Sequence, residues 1–231
     1  MQIDVREAAK LLNVSDKTVY RWVKQGVLPH FKSDGNIKFY RSELLDWALN
    51  NRINVAADFR GNIDTSTSVS TSLKKALTSG GIRYRICGNT ISETLTAVTQ
   101  QLTVLDESDR ELLLQFLLAR ESLGSTAIGN GISIPHPRNP IITHIPSPII
   151  ELCFLENPID YKAIDGIPVD TLFLLISPTV KDHLNMLSCI AFALRDPHFM
   201  KAIKQKADRQ TILEQADTID KKINLNKEKQ Q

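Results

Sequence analysis

Between Gly124 and Arg138 the chain reads GSTAIGNGISIPHPR, and one histidine, His136, stands between two prolines behind a run of small residues. Imidazole is the side chain that serves as nucleophile and proton carrier near neutral pH. Pro135 and Pro137 hold φ at about −65° and push Ile134 and His136 toward extended backbone, so the ring is carried on a stiffened segment. Gly124, Gly129 and Gly131 lack Cβ, which lets main-chain N–H groups come close to an anion and form a phosphate-binding concavity. A metal is the weaker reading, because no second His, Cys, Asp or Glu stands at a ligand-like spacing beside His136. A rigid imidazole beside exposed amides points to a phosphohistidine.

These residues belong to a longer pattern: ARESLGSTAIGNGISIPHPR (119–138), PIDYKAIDGIPVDTLFLLISP (158–178) and HLNMLSCIAFALRD (183–196). In that order they resemble the enzyme IIA domains of the phosphoenolpyruvate-dependent phosphotransferase system, of the fructose, mannitol and nitrogen-regulatory type. The resemblance covers residues 74–216. It implies that His136 takes a phosphoryl group from a small histidine phosphocarrier resembling HPr, that His183 is the second active-site histidine, and that Arg120 matches the arginine of the family's R-E-x-x-G-S-T segment. Pro137 departs from the glycine often found after the active histidine, which removes one N–H donor from the anion site.

The residues can be tested for this chemistry on their own terms. With an unperturbed pKa of about 6.5, roughly nine in ten imidazoles are neutral, and so nucleophilic, at a pH near 7.5. Phosphorylation then adds a charge of about −1.5 to −2. Arg120, Arg138 and the amides from Gly124 to Gly131 are the groups available to meet it. Thr126 and Asn130 either contact the phosphate or only shape the loop. His183 opens a run with Leu184, Leu187, Ile190, Ala191 and Leu194 at helical spacing, so it falls near a helix N-terminus, which attracts anions and disfavours imidazolium. A neutral His183 then donates one hydrogen bond to phosphate. Arg120 has structural uses as well, pairing with Glu121 or capping its own helix, and His30, His144 and His198 read as ordinary.

The elements that carry this segment follow from apolar spacing. Ile82 to Gly88 reads as a strand, Ser92 to Gln101 and Glu107 to Arg120 as helices, and the apolar runs PIIELCFL and DTLFLLIS as buried strands. The fold class is α/β (α+β), a mixed sheet flanked by helices, with a small N-terminal winged helix-turn-helix domain.

That domain begins with a capping box from Asp4 to Glu7 and an apolar face of Val5, Ala8, Ala9 and Leu12. Ser15 caps a second helix whose Val19, Trp22 and Val23 point inward, Gly26 ends it, and Val27 to Arg41 alternates around the hairpin turn Asp34-Gly35. Ser42 caps a short closing helix with Leu44, Leu45 and Trp47. The stretches VREAAKLLNVSDKTVYRWVKQGVLP and FYRSELLDWA resemble excisionase and MerR-like winged helices. By that resemblance Lys17, Thr18, Tyr20, Arg21 and Lys24 enter a major groove of double-stranded DNA, while Lys32 and Lys38 approach phosphates.

Charge agrees with this division. Residues 1–60 carry ten Lys and Arg against seven Asp and Glu, whereas the 231-residue chain has a formal net charge of only +2, so the excess sits in the first module. One such module makes few phosphate contacts, and half-sites about 34 Å apart call for a homodimer. The expected organisation is a DNA-binding domain over 1–52, a Ser/Thr-rich flexible linker over 53–73, an enzyme IIA-like domain over 74–217 and a disordered tail over 218–231. Three scattered cysteines fit reduced thiols in a cytoplasmic protein. No signal peptide and no apolar run of membrane-spanning length is read in the chain, so sugar translocation by it is excluded. No cofactor and no metal are expected.

The main reading is a cytosolic regulatory phosphocarrier, not a turnover enzyme, in which phosphorylation of His136 tunes DNA binding or partner choice. Two others stand beside it: an enzyme IIA transport component that passes phosphate to a IIB partner of a sugar permease, and an unphosphorylated sensor domain on a DNA-binding module. A phosphoacceptor must in any case be reachable by the donor's phosphorus and lie close to His183; a ring that is buried, or far from His183, leaves the relay no place to operate.

Overall fold

The computed structural model describes residues 2–33, 35–40, 43–44, 47–48, 72–138, 140–142 and 144–228. The chain divides into two compact units, 1–68 and 69–231.

In the first unit Gln2–Ile3 (β1) precedes two helices, Val5–Leu11 (α1) and Asp16–Lys24 (α2), and a hairpin of Phe31–Ser33 (β2) and Asn36–Tyr40 (β3). The capping box is formed, with Glu7 N donating to Asp4 Oδ1 at 2.9 Å and Asp4 N to Glu7 Oε2 at 3.0 Å. Ser15 caps α2 by accepting from Thr18 N. The strands form an antiparallel sheet in the order β1-β3-β2. Ala8, Leu11, Leu12, Val19, Leu28, Phe39, Leu44 and Ala48 are buried, while Trp22 and Val23 are only half-buried. Trp22 and Trp47, with ring centroids 5.1 Å apart, join α2 to the helical residues near position 47. Ser42 and Leu45 lie outside the described residues.

The second unit runs Leu73–Gly80 (α3), Gly81–Ile86 (β4), Ile91–Gln100 (α4), Glu107–Ser122 (α5), Ala127–Gly129 (β5), Ile132–Ser133 (β6), Ile149–Ile159 (β7), Val169–Ile176 (β8), Val180–Ala193 (α6), Pro197–Lys204 (α7) and Arg209–Glu228 (α8). Its five strands are ordered β4-β7-β8-β6-β5, parallel at β4–β7 and β6–β8 and antiparallel at β7–β8 and β5–β6. This is a mixed sheet. Side chains alternate across it: Ile149, Cys153 and Leu155 of β7 join a core with Leu95, Val98, Leu113 and Leu117 of α4 and α5. The opposite face carries Ile150, Leu152 and Phe154, all buried, against which α3 packs. Gly80 permits that approach, because a Cβ there would stand 2.2 Å from the Ile150 carbonyl oxygen.

Three expectations change. Residues 53–71 of the expected linker lie outside the described residues, but Ser72 and Leu73 belong to α3 as its N-cap and first residue. The glycine-rich segment is not an open loop: Gly129, Asn130 and Gly131, all at positive φ, form the turn of the β5–β6 hairpin. The tail expected to be disordered from 218 continues as α8 to Glu228, with Ile219 and Ile223 buried; residues 229–231 lie outside the described residues. Ile212, Ala216, Ile219 and Ile223 make one apolar face, whose rhythm starts upstream of 218 and so escapes a reading that begins there. On the same helix Asp220 accepts from Ser72 Oγ at 2.7 Å, Leu73 N at 2.8 Å and Lys74 N at 3.1 Å, satisfying the open end of α3.

Candidate functional site

β6 runs parallel to β8, pairing Ile132 with Thr171 and Ser133 with Leu172, and Leu175 N donates to the Pro135 carbonyl at 2.9 Å. The chain therefore stays extended along β8 until it delivers His136. The His136 Nδ1–H donates to the Ile134 carbonyl at 2.6 Å; since a carbonyl only accepts, this fixes the proton on Nδ1 and leaves the lone pair on Nε2.

His183 arrives from α6. Thr179 caps that helix, accepting from Asp182 N at 3.0 Å, and His183 N makes the first intrahelical bond, to the Thr179 carbonyl at 3.0 Å. The two imidazoles meet with centroids 5.0 Å apart and planes inclined by 52°. Both residues are buried, at 3% and 4% exposure. The closeness to His183 matches the expectation; the burial of His136 does not match a ring open to a donor. The reason lies in the fold, which seats His136 between β8 and α6 and not on a projecting loop.

On the hairpin that leads to His136 lies a polar group that residue types and spacing do not single out. Glu121, in the last turn of α5, accepts from Thr126 N at 3.1 Å with Oε2 and from Thr126 Oγ1 with Oε1. Thr126 Oγ1 lies 2.9 Å from Ser133 Oγ. The Ser125 hydroxyl donates to the Tyr161 carbonyl, and the Tyr161 ring is fully buried. Burial raises the Glu121 pKa above its ordinary value, while the Thr126 hydrogen bonds and then the charges of Arg120 and His136 draw it back. Burial first, and the Glu121 charge second, push the Tyr161 hydroxyl well above the usual phenol range. No spacing in the sequence announces this cluster, since regular pairing of Ala127 with Ser133 alone would turn Thr126 to the other face.

The remaining expected residues fall into two sets. Arg120 stands half-buried at the end of α5 and donates from Nη1 to the Gly124 carbonyl at 2.8 Å, and Arg138 is exposed two residues beyond His136. Thr126 is buried with its hydroxyl turned to Glu121 and Ser133. Asn130 and Gly131 occupy the far end of β6, where Asn130 N donates to Asp165 Oδ2 at 2.7 Å. At about 3.3 Å per extended residue, Gly131 is roughly 15 Å from His136 along the strand, so these two are not brought to the imidazole. In the first unit Lys17, Tyr20, Arg21 and Lys24 are exposed on α2, the Thr18 hydroxyl is engaged with Ser15, and Lys38 is half-buried on β3. Lys32 is on β2, and its side chain lies outside the described residues.

Among the described residues no group of three or more His, Cys, Asp or Glu side chains could hold a metal ion, and no helix is long and apolar enough to cross a membrane.

A mixed five-stranded sheet that buries two histidines from a strand end and a helix start defines an enzyme IIA-type domain. The family model for "Phosphoenolpyruvate-dependent sugar phosphotransferase system, EIIA 2" matches residues 76–217, more than half of the chain, and the protein belongs to that family. The model for a helix-turn-helix domain matches residues 3–52. A "Nitrogen regulatory protein" of Pseudomonas aeruginosa is 38% identical over 125 residues, covering 53% of this chain and 79% of that protein. The "PTS system fructose-specific EIIA component" of Haloferax volcanii is 29% identical over 106 residues, covering 45% of this chain and 67% of that protein. The crystal structure of nitrogen regulatory protein IIA-Ntr from Neisseria meningitidis shares the fold with a TM-score of 0.52 at 22% identity, over 62% of this chain and 97% of that one.

Proposed function

We propose that this protein is a cytoplasmic regulatory phosphocarrier: His136 takes a phosphoryl group on Nε2 from an HPr-like histidine phosphocarrier, and the phosphorylation state tunes the helix-turn-helix module on DNA. The observation that carries this is the facing pair His136–His183, with Nδ1 of the first tied to a backbone carbonyl. In the transfer the Nε2 lone pair forms the new N–P bond, and the donor's P–N bond breaks with its electron pair returning to the donor ring. Neutral His183, Arg120 and Arg138 meet the charge that arrives. Burial excludes water from the product, and it requires the carrier to displace part of the cover over the ring. Leu123, 70% exposed beside Gly124, gives such a carrier an apolar contact at the end of α5. The nitrogen regulatory relatives and the helix-turn-helix match support the regulatory half.

Incubation with phosphoenolpyruvate, enzyme I and a histidine phosphocarrier tests the acceptor. Acid-labile, alkali-stable label is expected on the wild type and absent from His136→Ala; a wild type that stays unlabelled sinks the proposal and favours an unphosphorylated sensor. The fructose-specific relative supports a second reading, a transport component. Under that reading the label moves on to a IIB domain at a rate matching sugar uptake.

A further inference from the structure

We propose that Glu121 is the positioning residue of the phosphoacceptor: its half-buried carboxylate holds Thr126, and through it Ser133, on the hairpin whose second strand delivers His136, and its negative charge helps hold the Nδ1 proton on that ring. A continuous series of polar groups supports this. Glu121 holds the Thr126 N–H and hydroxyl, Thr126 Oγ1 meets Ser133 Oγ at 2.9 Å, and Ser133 precedes Ile134, whose carbonyl accepts from His136 Nδ1 at 2.6 Å. The groups facing the carboxylate are Arg120 from its own helix, Thr126 from the hairpin, Tyr161 from the segment after β7, and His136; Ser133 faces Thr126 and Tyr161, and His183 faces His136 from α6. Of those around the carboxylate, Arg120 brings positive charge, and His136 does so when its ring is protonated. Coupling between two sites is reciprocal, so a ring proton that favours the carboxylate is itself favoured by it.

The chemical consequence rests on the phosphocarrier reading. When phosphate leaves His136 for water or an acceptor, the P–Nε2 bond breaks and its electron pair returns to Nε2. With Nδ1 protonated the departing ring is neutral imidazole; without that proton it is imidazolate, a far poorer leaving group. A carboxylate that holds the proton keeps the phosphohistidine transferable at neutral pH.

An NMR titration of the full chain, with ¹⁵N in His and ¹³C in the Glu carboxyls, tests the coupling before any phosphate is added. In the wild type the His136 and Glu121 signals should share inflections. Glu121→Gln should lower the His136 pKa by about one unit. Thr126→Val removes a donor that favours the carboxylate and should shift it in the same direction. In protein phosphorylated with phosphoramidate, Glu121→Gln should slow hydrolysis at pH near 7.5 by about tenfold, one pKa unit being a factor of ten in ring protonation, and move the pH profile downward. Independent inflections in the wild type overturn the inference, as does wild-type hydrolysis with an unmoved pH profile in Glu121→Gln. If no donor labels the wild type, the phosphocarrier reading fails alone, since the titration still decides the role of Glu121. Should the Gln variant not fold, the wild-type inflections decide.

Discussion

Two imidazoles lie with centroids 5.0 Å apart and almost no exposure. His136 Nδ1 is committed to the Ile134 carbonyl, so Nε2 is the nitrogen that the proposed transfer uses, and His183 is held by the first turn of α6. His136→Ala should abolish phosphoryl acceptance. His183→Ala should leave the acceptor but slow transfer by about a hundredfold, the scale for losing one donor to developing charge, with rapid-quench kinetics as the measurement. Gly80→Ala should destabilise the second unit by roughly 2–3 kcal/mol, read from chemical denaturation, because the added Cβ meets backbone and not a movable side chain. His136 stood out in the sequence through its prolines and glycines, while His183 entered through the family resemblance, its place at a helix start being as common for a cap or surface residue. The Glu121 carboxylate did not stand out, since only the packing of α5 against the hairpin brings it to Thr126.

At the scale of elements, α8 holds the second unit together through charges that meet other helices. Asp220 caps α3, and Lys222 reaches Asp196, the N-cap of α7. Asp220→Ala should cost about 1–2 kcal/mol of stability through loss of the cap, seen as a lower Tm. The Lys222 ammonium first, helped by the Phe199 and His198 amides against the opposing effect of burial, holds the Asp196 pKa below its usual value. A depressed folded pKa contributes stability above the unfolded value, lost as pH falls through the folded one. The wild type should therefore lose stability as pH drops below about 3.8, and Lys222→Met should lose less over that window. The helices α4, α5 and α6 and the strands β7 and β8 stand close to where apolar spacing sets them. The β5–β6 hairpin and α8 were harder to see, the first because glycines that suit an anion loop also suit a tight turn, the second because its apolar rhythm crosses the boundary drawn at 218.

For the whole molecule the decisive question is whether phosphate on the second unit is felt by the first. The α2 face with Lys17, Arg21 and Lys24 should bind DNA with a salt dependence set by the phosphates it neutralises, and each Lys→Ala or Arg→Ala change at a phosphate contact should reduce the log–log slope by about one. Binding isotherms with and without phosphorylated His136 should differ in midpoint; coincident curves would show that the signal is read by another partner. Sedimentation of the same samples tests for the homodimer that paired half-sites need. The sequence alone determined that there are two modules, that one has a helix-turn-helix and that the other carries a histidine on proline-stiffened backbone, because capping residues, proline and apolar period act over a few neighbours in the chain. Only the tertiary structure decided that His136 is buried against His183, that Asn130 and Gly131 lie at the other end of the strand, and that Glu121 holds Thr126. The first relation joins segments far apart in sequence, and the others turn on whether the short stretch from Glu121 to His136 folds as an open loop or as a hairpin, which no local rule of spacing fixes.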